Sequence, residues 1–453
     1  MTWLLAALIA YVGLQLGVGL LVSRRVATES DYLIAGRRLG PVLVTSSMFA
    51  TWFGAESCIG AAGAVYAFGL DGATADPFGY AGCLFLLGAV FAVPLWRRGL
   101  TTLGDLFALR FGRGIERLAV LLMVPTSVLW AAAQIRAFGH VVAASGDVEI
   151  ELALAISAAV VIAYTAAGGL LADAWTDVIQ GSLLVVGLVV LAVTVLGSDA
   201  VAMADLFATA RSFPPVERSL LERAEAWAIP LCGSVLAQEQ VARVLAARSG
   251  GIARGSAFAA GVLYLAVGII PVGLALVGLQ LLPGLEDPEQ ILPRLALEHF
   301  PTWLYVVFVG ALISAILSTV DSALLAAASL VAHNLILPLR PAASEQTKLR
   351  IARTAVLVFG VAAYGLARNA DGVYALIEAA SAFASAGVLV SACFGLFTGF
   401  GGPRSAGASL VSGALVWAIA ERGDLLAAPY LASLAVATLA YVSVAVFERR
   451  DRA

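Results

Sequence analysis

Apolar residues run along this chain in stretches of about 20, divided by short polar connections, and a helix of that length crosses about 30 Å of hydrocarbon at 1.5 Å per residue. About thirteen such helices are predicted, at 3–22, 40–69, 77–95, 116–143, 151–169, 176–197, 226–246, 254–281, 302–335, 349–368, 373–399, 405–421 and 425–446. The pieces between them are too small for a soluble domain of ordinary size, so 1–453 is expected to be a single all-α polytopic membrane domain. The first stretch has no positive segment ahead of it and runs directly into Arg24 and Arg25, which favours a retained span over a signal peptide. The long connections Ser198 to Glu225 and Leu282 to Phe300 each precede a span, and the first reads as a short surface helix with turns.

Composition sharpens the class. The 453 residues are 61% hydrophobic and 13% charged, against roughly 45–50% and 25% in soluble domains. A secreted or cytosolic enzyme is excluded. With a formal charge of −3 and arginines confined to connections, the chain has no basic footprint for nucleic acid. Cys58, Cys83, Cys232 and Cys393 lie in apolar runs without metal-ligand spacing, and His140, His299 and His333 stand far apart near span ends. A resident metal or a nucleophile–base pair has no support, and the chain is not expected to be an enzyme.

The basic residues set the orientation. Arg24, Arg25, Arg37 and Arg38, then Arg97, Arg98, Arg110, Arg113 and Arg117, then Arg243, Arg248 and Arg254, then Arg340, Lys348, Arg350 and Arg353, then Arg404 and the tail fall in every second connection. The intervening ones, such as Asp71 to Asp76, Ser145 to Glu151 and Asn369 to Gly372, are nearly free of them. Lys and Arg collect on the cytoplasmic side. The expectation is a multi-pass plasma (inner) membrane protein with its amino terminus outside and its carboxyl terminus inside.

Polar residues inside the spans are scarce enough to be informative. The second span carries Ala50-Thr51-Trp52-Phe53-Gly54-Ala55-Glu56-Ser57, and the seventh carries Cys232-Gly233-Ser234 and Gln238-Glu239-Gln240. Both read as interrupted helices, as at transporter sites. They are five spans apart, an odd interval, so 40–197 and 226–399 would be inverted-topology repeats; the alternative is ordinary glycine packing, with 45 glycines in the chain. A mid-membrane carboxylate costs roughly 2.5–3.5 kcal/mol on insertion scales, so Glu56 and Glu239 need a paired, wet or protonated setting. They line a solute cavity or hold helices together, and Glu239 could pair with Arg243 one turn on. In the ninth span Ser318-Thr319-Val320-Asp321-Ser322 sets adjacent hydroxyls, able to bond the preceding turn or to ligate a small cation with carbonyls freed at Ala50 to Phe53.

Leu33-Ile34-Ala35-Gly36-Arg37-Arg38-Leu39-Gly40, Ala55-Glu56, Gly60-Ala61-Ala62-Gly63, Gly168-Gly169-Leu170 with Trp175-Thr176-Asp177-Val178-Ile179-Gln180, Gln238 with Arg243, and Ser318 to Ser322 occur in the order in which similar motifs occur in the sodium:solute symporter family. The chain resembles that family over most of its length. The resemblance implies the five-plus-five inverted-repeat fold of the leucine transporter, with one leading helix and two trailing ones in 400–453, the latter ending in a short cytoplasmic tail. It implies a sodium site made of the carbonyls of Ala50, Phe53 and Ala315 and the hydroxyls of Ser318 and Thr319, all neutral oxygens. Asp177 matches a carboxylate linked to sodium release, or else caps a helix end. Trp130 to Ala133 and Ala326 to Ser329 with Ala332-His333-Asn334 are similar to the choline-transporter branch, and Arg340 to Glu345 adds to this. Ala237 stands where that branch has tryptophan, and Glu239 where sugar-transporting members carry an aromatic gate.

The expected activity is sodium-driven uptake of a small organic solute by alternating access, a zwitterion or cation being favoured by the central carboxylates. Trp52, Glu56, Ser57, Trp130, Gln134, Gln238 and Glu239 are the expected solute contacts, with Arg136 near the outer surface. Sodium, the solute and the lipid bilayer are the expected partners, with no obligate protein partner evident. Proton coupling through Glu56, Asp177 or Glu239, or a solute sensor that moves nothing, are the alternatives.

Overall fold

Three of the expected spans break in mid-path, and two of them lie side by side. Helix Pro41–Trp52 begins with a proline, whose missing N–H is no loss in a first turn, and ends at Phe53, where the backbone (φ −82°, ψ 73°) leaves the helix. Gly54 N then donates to Trp52 O at 3.0 Å, and the chain resumes as Glu56–Ala61 and Ala62–Phe68. The second broken path starts at Leu220–Ala228, capped by reciprocal bonds of Ser219 and Glu222. It runs through Ile229–Gly233, opens, and continues as Gln238–Ala246. Leu39 N donates to Ala246 O at 3.1 Å and Arg248 N to Leu39 O at 2.9 Å. The start of one broken helix thus lies beside the end of the other, and the two run in opposite directions.

The computed structural model describes residues 26–146, 149–197, 213, 218–370, 372–423 and 425–450, with Gly13 and Gly17. The expected first span, 3–22, and most of the connection from Ser198 lie outside the described residues. Among the described residues the architecture is all-helical, with a single isolated pairing between Leu39 and Ala247. Eight described segments are long and apolar enough to cross a membrane. Spans expected at 151–169 and 176–197 are two arms of one element, Ile150–Leu196, bent at Gly169 (φ 68°). That backbone region is cheap only for glycine, and a β-carbon there would lie 2.5 Å from the Tyr32 ring. The span expected at 373–399 also breaks, into Val373–Ala382 and Ser385–Phe397, with Ala384 left-handed (φ 58°).

Burial identifies the centre of the bundle. In the segment Thr302–Leu339 78% of the most apolar window is buried, against 28% in Glu345–Arg368, so the hydroxyl-bearing helix is central and the latter faces outward. In hydrocarbon, backbone leaves a helix only where protein or a polar cavity takes up its freed groups. The first broken helix meets that condition against Thr302–Ser329, and the second opens against Val373–Ala382, where Ser234 donates to Ser381 Oγ at 3.0 Å.

Candidate ion and solute site

Breaking the helix at Phe53 turns Gly54 N away from Ala50 O, and the central helix takes up the freed carbonyl. Thr319 Oγ1 lies 3.2 Å and Ser318 Oγ 3.5 Å from Ala50 O, and Thr319 Oγ1 lies 3.3 Å from Ala315 O. Four of the five oxygens named from the sequence are therefore gathered, and the fifth, the Phe53 carbonyl, is at the break itself. Gly54 permits the approach. A β-carbon there would lie 2.5 Å from Thr319 Oγ1 and 3.3 Å from both Ala315 O and Gln134 Oε1.

A carboxylate stands close to these neutral oxygens. Ser318 donates to Asp177 Oδ1, and Ser47 donates to Asp177 Oδ2 at 2.5 Å. A fully buried carboxyl group thus stands one hydroxyl away from the gathered oxygens. Asp177 lies in the arm after Gly169 and accepts from two side-chain hydroxyls of other helices, which is not the bonding of a helix cap.

Towards the arginine-rich end the path is stitched shut. Arg243, 1% exposed, donates to Asp173 and Ser322, to Ser47 Oγ at 3.1 Å and to the Glu239 carbonyl at 3.0 Å. These bonds join both broken helices, the bent helix and the central helix. The pairing of Arg243 with the Glu239 carboxylate considered from sequence is not what forms: Arg243 bonds the Glu239 main-chain carbonyl, and its charged partners are Asp173 and Asp177. Asp173 went unread although it is an acid in an apolar run four residues past Gly169. On the same side Thr165 donates to Asp321, which is a helix tie remote from the solute candidates.

On the other face of the break three rings meet. Trp52 and Tyr80 have centroids 5.4 Å apart, Trp52 and Trp130 6.0 Å, and Tyr80 and Trp130 5.8 Å. Tyr80 carries this cluster to the wall of the large cavity, and an aromatic face attracts a cation. Tyr80 was not legible, since nothing in its local pattern sets it apart from other aromatic residues. Beside the rings, Gln134 donates to Glu56 Oε2 at 2.7 Å and accepts from Ala55 N at 3.2 Å. Ser57 turns to Asp76 Oδ2 at 2.8 Å and to Tyr264 at 3.0 Å, and Tyr264 donates to Asp76 at 2.6 Å. Gln238 accepts from Leu103 N at 2.8 Å, which commits its carbonyl to the start of a neighbouring helix. Ala237, Gln238 and Glu239 border a void of about 30 Å³ next to Trp130.

A cavity of about 720 Å³ leads from Glu56, Asp76 and Tyr80 to the arginine-poor end of the bundle. Its lining holds eight carboxylates against Arg136, Arg218 and His140. Narrow low-dielectric walls of one charge concentrate counter-ions. At its mouth the Glu289 carboxyl is pushed up by burial and by the charge of Asp287, while hydrogen bonds from Ser219 hold Glu222 below its ordinary value. Arg136 donates to Ala367 O at 3.1 Å, at the arginine-poor end of the bundle.

Known proteins agree with this architecture. The structure of a Na+-coupled sialic acid symporter in a substrate-bound outward-open state superposes with a TM-score of 0.84 at 18% identity, covering 98% of both chains. A nucleobase-cation-symport-1 family transporter gives a TM-score of 0.63 at 16% identity, covering 94% of this chain and 95% of that one. In sequence, the chain is 31% identical over 367 residues to the human high affinity choline transporter 1, covering 76% of this chain and 63% of the relative. It is 26% identical to the human sodium-coupled monocarboxylate transporter 1, covering 78% of this chain and 61% of that one. The chain thus spans less than two thirds of the length of these relatives. With residues 32–400 matching the family and eight described segments fit to cross a bilayer, this multi-pass membrane protein belongs to the sodium:solute symporter family.

Proposed function

We propose that the chain is a secondary active symporter in which sodium entry drives uptake of a small organic cation by alternating access. The observation that carries this reading is the meeting of Ala50, Ala315, Ser318 and Thr319 at a helix break, backed by Asp177. Oxygens held in this way suit a small hard cation, and a break closed by that cation can pass its binding on to the solute pocket across the same residues. Phe53 supplies the fifth oxygen. Trp52, Tyr80, Trp130, Glu56, Gln134 and Glu239 contact the solute; Ser57 and Gln238 hold their neighbours in position.

The relatives' names include choline, a monocarboxylate and sialic acid. The acidic cavity and the ring wall favour the cation among these, because an anion would enter against eight carboxylates. In this reading the arginine-poor end faces outside, the amino terminus is external and the carboxyl terminus cytoplasmic, in a plasma (inner) membrane. The opposite directions of the two broken helices support 40–197 and 226–399 as inverted repeats, with 400–453 trailing. The open cavity and the Arg243 stitch describe an outward-facing state, and Asp177 lies where sodium would leave inwards. The solute emerges chemically unchanged, so the protein is a carrier and not an enzyme.

The test is uptake of labelled organic cations into proteoliposomes under a sodium gradient, a potassium gradient or a pH gradient alone. The reading expects accumulation only with sodium. Accumulation with a pH gradient alone would transfer the coupling to the buried carboxylates Glu56 and Asp76 and overturn it.

A further inference from the structure

The floor of the acidic cavity holds two carboxylates that the protein only half satisfies. Glu56 and Asp76 are each 3% exposed and both line the cavity. Each spends one oxygen on the protein: Glu56 Oε2 accepts from Gln134, and Asp76 Oδ2 accepts from Tyr264 and Ser57. The other oxygens, Glu56 Oε1 and Asp76 Oδ1, have no hydrogen-bond partner among the described residues, and neither does the indole N–H of Trp130 in the neighbouring ring wall. Ser57, the residue after Glu56, is hydrogen-bonded to Asp76, and both carboxylates line the cavity together with Tyr80, so they belong to one locus.

Ring faces alone would hold any compact cation, including a fully alkylated one. Buried carboxylate oxygens left without a donor ask for more, because a buried acceptor without a donor carries its full desolvation cost. A quaternary ammonium brings methyl groups and no N–H, so it would leave both oxygens unpaired. An ammonium or amidinium head with N–H groups can rest one face on Tyr80, the ring that lines the cavity with them, and donate to both carboxylates.

Building on the proposed cation uptake, we propose that Glu56 and Asp76 form a subsite for N–H donors, and that the transported class is organic cations with a primary or secondary ammonium or an amidine-type head. Asp76 becomes a specificity-determining residue together with Glu56, and the chain's substrate diverges from that named for its choline-transporting relatives. The rings supply general attraction to positive charge, and the two acids supply the selection.

A ladder of N-methylation tests this: ethanolamine, N-methylethanolamine, N,N-dimethylethanolamine and choline, each measured as an inhibitor and as a sodium-driven substrate in proteoliposomes. Affinity is expected to fall along the ladder, with a ratio of ethanolamine to choline of roughly ten- to hundred-fold, the worth of a charge-assisted hydrogen bond. In Glu56→Gln and Asp76→Asn, which keep an oxygen for Gln134 or for Tyr264 and Ser57, that ratio is expected to shrink towards one while sodium still stabilises the protein against heat. Wild-type preference for choline, or a ratio unchanged in both variants, would overturn the subsite and leave sodium-driven cation uptake standing. Sodium-driven uptake confined to anions or neutral solutes would overturn both.

Discussion

Gly54→Ala puts one methyl group where the ion-site account has least room. The new β-carbon would lie 2.5 Å from Thr319 Oγ1 and 3.3 Å from Ala315 O. Methyl-to-oxygen separations that short force either Thr319 off its rotamer or the break apart from the central helix. Overpacking of this kind costs about 1–3 kcal/mol. If that cost falls on the sodium-bound arrangement, half-saturating sodium for uptake rises about 5- to 150-fold. The control is Gly181→Ala, whose β-carbon would meet Phe49 at 3.6 Å and Ala50 at 3.8 Å, ordinary contact with the same helix. The assay is sodium titration of uptake, paired with sodium-induced thermal stabilisation of the purified protein, which reads binding without transport. A Gly54→Ala protein with wild-type sodium dependence in both would refute the argument that Ala50, Ala315 and Thr319 close around the ion. A shift of equal size in Gly181→Ala would refute its localisation to Gly54.

Arg243→Gln leaves Asp173 and Asp177 buried without their cation and is expected to lower thermal stability by about 3–5 kcal/mol, with much of the loss recovered in Arg243→Gln/Asp173→Asn. Thermal unfolding in detergent reads this, and strictly additive losses would discard the stitch. At the arginine-rich surface, Asp105 accepts from Thr101 N at 2.7 Å and Thr102 N at 3.1 Å and faces His333 at 3.3 Å. Burial pulls its carboxyl upward, but the His333 ring and these N–H groups hold it net below its ordinary value. A depressed folded pKa gives stability that is present above the unfolded value, about 3.9, and lost as pH falls through the folded one. Asp105→Asn is therefore expected to flatten the acid limb of thermal stability, and an unchanged limb would reject that role.

Much of the site was legible because membrane interiors make polar residues rare. Glu56, Ser318 and Thr319 stood out against apolar neighbours, and the glycine-bearing breaks at Gly54 and Gly233 were marked by local composition. Arginine spacing likewise gave alternate connections without any contact information. Tyr80 and Asp76 were missed for a different reason: one is an aromatic residue among many, and the other sat in a connection expected at the surface yet is 3% exposed. The Ala384 break has no glycine or proline beside it to announce it; next to it Ser381 bonds Tyr80 at 3.1 Å and Ser234 at 3.0 Å, contacts between distant segments. Pairings across long separations, such as Asp177 with Ser318 or Arg243 with Asp173, follow from packing of distant helices, which no local pattern encodes.

The central claim is that sodium binds between the first broken helix and the central one and is carried in with the solute. Parallel measurement of labelled sodium and labelled organic cation entering proteoliposomes, for wild type and for Ser318→Ala/Thr319→Ala, tests it most directly. The account predicts coupled entry of both in wild type and loss of both in the variant, with its thermal stability without sodium kept near wild type. Undiminished sodium-coupled uptake by the variant would contradict it.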